Sequence, residues 1–313
     1  MTSPSGGGGS SRSGLSVAIV GICGAGHLRR CLRALDAQEG APSFETVVAF
    51  DPVLEGIDKV RDDYPDVRLV DNRGQRTPLE LASRAIRESR GAVVLLTEDH
   101  CVPAPDWVAE LSRSLTRGRG AAGGVVELAE GATAVDWAFY FVDFFRYANP
   151  VEAGESPTLT VCNVAYRRSD LDAATEAWDD VFHETVVNDS LRRRAGPLYL
   201  SPKPRVTMRR RVRLRDALSE RYAFGRLFGC ERLERTEGAM RTVYKLLAPA
   251  LPALLLGRMF RKALSSSRLR RRLLAGCVPL TLMVLAWSWG EWLGYITGSR
   301  PRDLTVAVER EED

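Results

Sequence analysis

The sequence predicts an α/β fold, a mainly parallel sheet flanked by helices, followed by C-terminal amphipathic and membrane-associated helices. Two observations predict it. From Leu15 onward, short β-branched runs alternate with helical stripes, the pattern of βα units joined by right-handed crossovers. Beyond Arg209 the composition changes to arginine-rich segments with apolar stretches at about 243–257 and 273–298.

The elements follow in order. LSVAIVGI from Leu15 reads as a buried strand, and HLRRCLRALDAQ places Leu28, Cys31, Leu32 and Leu35 on one helical stripe. FETVVAFD is a second strand ending at Asp51, and VRLVD a short third. TPLELASRAIRESRG predicts a helix with Leu79, Ala82, Ala85 and Ile86 on one face and Gly91 as its C-cap. GAVVLLTEDHCVP is an apolar strand that runs straight into acids. In such sheets ligands bind beyond the carboxyl ends of the strands, where Asp51 and Glu98 to His100 fall. PAPDWVAELSRSL continues as a helix anchored by Trp107, and GAAGGVVEL as a strand. The aromatics Trp137, Phe139, Phe141, Phe144 and Phe145 suit core packing, with an acceptor-side wall as the alternative. TLTVCNVAYRRSDL reads as a strand-to-turn unit, FHETVVNDSLRRRAG as a helix opening at His183 and Glu184, and PLYLSPKPRVTM as a proline-bearing edge strand.

A length of 313 residues accommodates one α/β core with an appendage. The expected division is a disordered Gly/Ser leader over 1–14, the α/β unit over 15–210, basic and hydrophobic helices over 211–300, and an acidic tail over 301–313. The balance of 44 Lys+Arg against 40 Asp+Glu is near neutral, which argues against a nucleic-acid partner. Arginine crowds the second half, as in RRR at 192–194, RRRVRLR at 209–215 and RLRRR at 268–272, and points to an anionic membrane surface. The six cysteines form no CxxC pair, so a reduced, cytoplasmic setting fits. The run from 273 approaches the length of a bilayer span but is interrupted by Pro279, Gly290 and Glu291, and the run from 243 is short and carries Pro249 and Pro252. A hairpin lying on or re-entering the membrane is expected, with Trp287, Trp289 and Trp292 in the interfacial belt; a buried helical pair is the alternative.

Carboxylates at the end of a buried strand repel one another and need a cation. Glu98 and Asp99 supply that charge, and hard oxygens suit Mg²⁺ or Mn²⁺, with the His100 imidazole acceptable to Mn²⁺. A helix N-cap acid is the plainer alternative. Glu184, opening a helix after His183, is the candidate general base, with Asp189 in reserve; stabilisation by the helix dipole is its alternative role. The arginines at 192–194 suit either a solvated face or a diphosphate clamp.

From Ser16 to about Val206 these motifs, in this order, resemble family 2 glycosyltransferases of the Rossmann-like GT-A fold. VVAFD is similar to the family's second-strand motif, which implies nucleotide contact by Asp51. TEDHCVPAPDW resembles the DxD segment, which implies Glu98 and Asp99 at the donor and Asp99 and His100 at the metal. CNVAYRRSDL is similar to the acceptor-side loop, at Asn163 and Tyr166 to Arg168, and Asn163 is carried over to the donor site. FHETVVNDS resembles the segment of the catalytic ED pair, which implies Glu184 as base. Gly21 to Gly24 stand where the family carries Pro-Thr-Tyr-Asn, His100 where the second DxD aspartate stands, and Thr185 where the second ED acid stands. RYAFGR, with Arg221 and Gly225, matches the Arg-Trp motif of processive relatives poorly, which implies transfer of a single sugar. The resemblance implies a nucleotide-diphosphate sugar donor, Mn²⁺ or Mg²⁺, a lipid-linked or glycan acceptor, inversion, and a place on the cytoplasmic face of the cell membrane. A GT-A partner protein that binds nucleotide sugar without turnover is the alternative, and a nicotinamide-binding Rossmann protein is disfavoured by the spacing of Gly21, Gly24 and Gly26 and by the acidic strand end at Glu98.

Overall fold

The computed structural model describes residues 14–51, 56–71, 77–301, 304 and 306. The expected leader and nearly all of the acidic tail lie outside the described residues. The chain runs β1 (Leu15–Gly21), α1 (Ala25–Asp36), β2 (Phe44–Phe50), α2 (Ile57–Asp63), β3 (Arg68–Asp71), α3 (Pro78–Glu88), β4 (Val93–Glu98) and β5 (Cys101–Pro103). It continues through α4 (Trp107–Ser114), β6 (Ala121–Leu128), α5 (Ala134–Phe144), β7 (Gly154–Glu155), β8 (Val164–Arg167), α6 (Arg168–Asp172), α7 (Glu184–Arg194) and β9 (Leu198–Met208). The C-terminal helices are α8 (Leu214–Glu234), α9 (Ala239–Leu247), α10 (Leu251–Ala263), α11 (Ser267–Ala275) and α12 (Cys277–Thr297).

The nine-stranded sheet has the order β3-β2-β1-β4-β8-β6-β9-β5, with β7 on β9. The half from β3 to β4 is parallel, as the βα alternation predicts. The sheet then turns mixed, because β8 runs antiparallel to β4 and β6. Register places Gly21 opposite Phe50 and Val20 opposite Glu98, so Asp51 and Glu98 flank the carboxyl end of β1. Helix α3 opens with a capping box, Thr77 Oγ1 accepting from the Glu80 N–H and Glu80 accepting from the Thr77 N–H.

Three local expectations change. Gly91 is not the C-cap of α3, which is Ser89; a Cβ on Gly91 would stand 2.6 Å from the Ser16 nitrogen, so this glycine lets the chain pass tightly against β1. The proline-bearing β9 is not an edge strand, since β6 lies on one side and β5 and β7 on the other. Its prolines are tolerated because pairing with β6 skips from Leu200 to Arg205, leaving Pro202 and Pro204 in a bulge. The aromatics of α5 are core, with Trp137, Phe139, Phe141, Phe144 and Phe145 all buried.

Helices α8 and α12 are joined by paired glycines. A Cβ on Gly225 or Gly229 would stand 2.2 Å from the carbonyl oxygens of Trp287 and Glu291, and one on Gly290 or Gly294 would stand 2.1 and 2.4 Å from those of Tyr222 and Arg226. Each helix thus offers a Gly-x-x-x-Gly face to the other, and the backbones touch. Glu291, an interruption in the apolar run, is buried at this interface, where it accepts from Trp287 Nε1 at 2.9 Å and from the Tyr295 hydroxyl and pairs with Arg232. The opposite face of α12 exposes Val278, Leu282, Leu285, Trp289 and Ile296. The first apolar run is longer than its prolines suggest: α9 and α10 join through a 3₁₀ turn into one helix, Ala239–Ala263, of 25 residues and 11% buried, long and apolar enough to cross a membrane. Pro249 and Pro252 are the second residues of the turn and of α10, within the first turn of each, where a helix tolerates proline. Helices α11 and α12 bend by 75° at Gly276.

Replacing Gly229 by Val is expected to force the two helices apart and to cost at least about 3 kcal/mol, the upper range for overpacking. Thermal unfolding of the full chain measures this.

Candidate donor and acceptor site

Strand β4 ends by delivering Glu98, Asp99 and His100 to the carboxyl edge of the sheet. The three side chains divide the work. Asp99 is fully buried, and its Oδ2 accepts from the Ile22 and Cys23 N–H groups at 2.8 and 2.7 Å. The residue expected at donor and metal is therefore turned beneath the β1–α1 turn, where it sets the loop that replaces Pro-Thr-Tyr-Asn. Its Oδ1 has no hydrogen-bond partner and faces His100 Nδ1 at 3.7 Å. Cys23, Asp99 and His100 offer ligand atoms within 4.8 Å of one another.

Glu98 and His100 form a close pair. Glu98 Oε2 lies 3.3 Å from His100 Nε2 and accepts from the Cys162 thiol at 3.3 Å. Burial works against the imidazolium, but the neighbouring Cys101 and Cys23 and the Asp99 carboxylate outweigh it and hold His100 well above the usual histidine range. Burial likewise works to raise the Cys101 thiol, but the Cys162 hydrogen bond and His100 hold it down at about 7.

Glu184 is the first residue of α7, with His183 as N-cap. Its Oε2 accepts from the Val161 N–H at 3.1 Å. Burial pushes the carboxyl up to about 8, with Glu98 and Asp143 adding to the rise and the Val161 N–H opposing it. Asp143 is itself raised, by burial first and by Glu220 and Glu98, against Arg221. Glu98, Asp143 and Glu184 are thus close enough to feel one another's charge, the mutual repulsion that a cation relieves. His183 Nδ1 meets Glu231 Oε2 of α8 at 3.0 Å. Burial pushes His183 down to about 4 and Glu231 up to about 7.

Several expected residues are placed elsewhere. Asn163 is fully buried; its Oδ1 accepts from Trp107 Nε1 at 2.9 Å, and its Nδ2 donates to the carbonyls of Val125 and Pro204 at 2.9 and 3.1 Å. These three bonds pin α4 to β6 and the β9 bulge, a bracing role for a residue expected at the donor. Gly124 makes room, since a Cβ there would stand 2.5 Å from Asn163 Nδ2. Tyr166 is buried, and Arg168 Nη2 donates to the Ile86 and Ser89 carbonyls at the end of α3. The arginines at 192–194 pair with Asp189 and Glu176 on an exposed face, so Asp189 too is a surface partner. Asp51 follows β2 directly, at the site edge.

The structure also shows a charged network that the sequence reading overlooked. Arg210 pairs with Glu220, Glu220 with Arg221, and Arg221 with Asp143. Both guanidinium groups lie over the Phe139 ring, at 4.6 and 4.5 Å. Only the RYAFGR segment hinted at this, because the partners come from three separate stretches of chain.

Asn163→Ala is expected to lower stability by about 2–4 kcal/mol, because a buried indole N–H and two carbonyls lose their partner. Calorimetric unfolding reads this loss; a change in nucleotide affinity with unchanged stability would contradict it.

Comparisons with known proteins bear on the fold that carries these residues. Residues 23–174 match the model described as glycosyl transferase family 2. No curated protein matches the chain in sequence. In fold the chain is similar to the mannosyltransferase PcManGT from Pyrobaculum calidifontis, solved in complex with GDP-Man and Mn²⁺, with 16% identity over 90% of this chain and 88% of that chain and a TM-score of 0.56. The match runs from α1 to α6 and takes in the acidic end of β4, so residues 23–174 are those of a glycosyl transferase family 2 domain, within a chain whose sheet and flanking helices have the GT-A fold.

Proposed function

We propose that this protein transfers one hexose from a nucleotide-diphosphate sugar to a hydroxyl of a lipid-linked or other membrane-proximal glycan acceptor, with inversion, at the cytoplasmic face of the membrane. The observation that carries the reading is the placement of Glu184, pushed up to about 8, opposite the Glu98–His100 pair. A carboxyl in that range exchanges protons near neutral pH, as a general base must.

The residues fit a divalent cation of the Mn²⁺ class. Such ions take one or two protein ligands and complete their shell from phosphates and water, and Glu98 with His100 provides an oxygen and a nitrogen 3.3 Å apart. A bound ion would neutralise charge on the departing diphosphate. The neighbour's GDP-Man and Mn²⁺ support a nucleotide-sugar donor of the same kind here. Asp51 would meet the nucleoside at the end of β2. Glu184 takes the proton from the acceptor hydroxyl as its oxygen bonds to the anomeric carbon, and the nucleoside diphosphate leaves from the opposite face with the bonding electrons. Thr185 is exposed, so the base function rests on Glu184 alone.

Helices α9 to α12 support the membrane-proximal acceptor. Leu246, Leu247, Leu254, Phe260 and Leu264 are exposed beside the exposed Arg258, Arg261, Arg268, Arg270 and Arg271, an apolar and cationic surface suited to anionic lipid.

Glu184→Gln is expected to lower turnover by about 10²–10⁴ while leaving donor affinity unchanged; a wild-type chain that binds donor without turnover would instead be a binding protein. In the wild type, kcat/KM should rise about tenfold per pH unit and level off above about pH 8, since the base must be deprotonated and its carboxyl is raised to about 8. Replacing Arg261, Arg270 and Arg271 by Gln should weaken sedimentation with anionic vesicles about 100-fold, at about 1 kcal/mol per arginine, with no change on neutral vesicles.

A further inference from the structure

Glycosyl transfer leaves two buried thiols beside the donor site without a task. Cys101 opens β5, Cys162 closes the loop before β8, and both are sealed from solvent. Their sulfurs and an imidazole nitrogen of His100 all lie within 4.8 Å of one another. Glu98 Oε2 stands beside two of the three, 3.3 Å from Cys162 Sγ and 3.3 Å from His100 Nε2. In a tetrahedral zinc site, with bonds of about 2.0–2.3 Å, neighbouring donor atoms stand about 3.3–3.8 Å apart. Two edges of such a tetrahedron are therefore already formed. The segments that carry the ligands are held in place as well: Thr97 Oγ1 donates to the Cys162 carbonyl at 2.8 Å, and the Arg209 N–H donates to the His100 carbonyl at 2.8 Å.

The donor set decides which ion belongs there. Mg²⁺ and Mn²⁺ favour oxygen ligands and leave thiols unused, whereas two thiolates, an imidazole and a carboxylate suit zinc. We propose that Glu98, His100, Cys101 and Cys162 form a closed four-ligand site for Zn²⁺, and that zinc bound there withdraws Glu98 and His100 from the ion that serves the sugar donor. Binding exchanges the two thiol protons for the metal and releases them to solvent, with a third proton where the imidazole is protonated, so no oxidant or reductant is required. Zinc thereby acts as an inhibitor of a site built to use a harder ion. The binding half stands on the geometry alone; the exclusion half rests on the donor reading above.

Anaerobic Co²⁺ titration of the full chain tests the binding half. One equivalent should give the visible bands of tetrahedral cobalt and a thiolate charge-transfer band, both removed by Zn²⁺. Replacing Cys101 and Cys162 together by Ser should abolish the charge-transfer band and weaken zinc binding more than about 100-fold, whereas Cys277→Ser, an exposed thiol, should keep both. Should the double variant fail to fold, zinc K-edge absorption of the wild type decides instead: two sulfurs at about 2.3 Å support the site, and a shell of nitrogen and oxygen alone overturns it. A weak octahedral cobalt spectrum without charge transfer, or a charge-transfer band that survives in the double variant, also overturns it. For the exclusion half, one equivalent of Zn²⁺ added to protein loaded with Mn²⁺ and a nucleoside diphosphate should restore the free Mn²⁺ paramagnetic resonance signal. Mn²⁺ that stays bound overturns exclusion, and Mn²⁺ that never binds overturns the donor reading, while the cobalt and zinc spectra still decide the site.

Discussion

The Asp99 carboxylate is the point on which the site depends. A buried carboxyl group is costly unless hydrogen bonds replace its water, and the two N–H groups of Ile22 and Cys23 do so at 2.8 and 2.7 Å. The same two bonds fix the turn between β1 and α1, which has no proline or asparagine to shape it. In the turn that follows β4, His100 stands between its neighbours, its Nδ1 3.7 Å from Asp99 Oδ1 and its Nε2 3.3 Å from Glu98 Oε2. The acidic tripeptide is therefore one buried anchor, a buried imidazole and a partly exposed carboxylate.

The second organising contact is the glycine-to-glycine packing of α8 against α12. Backbones at such close range leave no room for side chains, so the helices dock in a single register. That register brings Glu231 of α8 to His183, the cap of the helix that begins with Glu184. It also carries Glu220 and Arg221 into the network with Asp143 and Arg210. The C-terminal helices thus belong to the packing that positions the start of α7 and Glu184. Their inner faces continue the core through Met259, Leu269, Leu273, Leu280 and Met283, and their outer faces stay apolar and basic.

The thiols near His100 give the site a mixed character. Glu98 alone would favour a hard ion, His100 softens the set, and Cys101 and Cys162 extend it toward ligands that a donor-binding metal does not use. Which ion occupies the pair becomes a matter of competition between phosphate oxygens offered by substrate and sulfurs offered by the chain.

Much of this was legible in the sequence, because the signals were local. The βα alternation of residues 15–98, the acids ending β4, the aromatic core of α5 and Glu184 at a helix start all follow from periodicity and position along one segment. Asn163 and Asp99 were legible as residues but not as roles, since their partners, Trp107, Val125 and Pro204 for one and Ile22 and Cys23 for the other, lie tens of residues away. The paired Gly-x-x-x-Gly faces at 225 and 229 and at 290 and 294 were visible, yet their meaning needs both helices at once. Glu291 looked like a break in a membrane span until α8 supplied Arg232 to receive it. The sequence by itself determined which elements form and which chemistry the ends of the strands carry, because hydrophobic period and residue type act within a few residues. Only the tertiary structure decided which polar groups face the cleft and which are consumed as internal braces, because a buried polar group is committed by whatever donor or acceptor the fold brings to it.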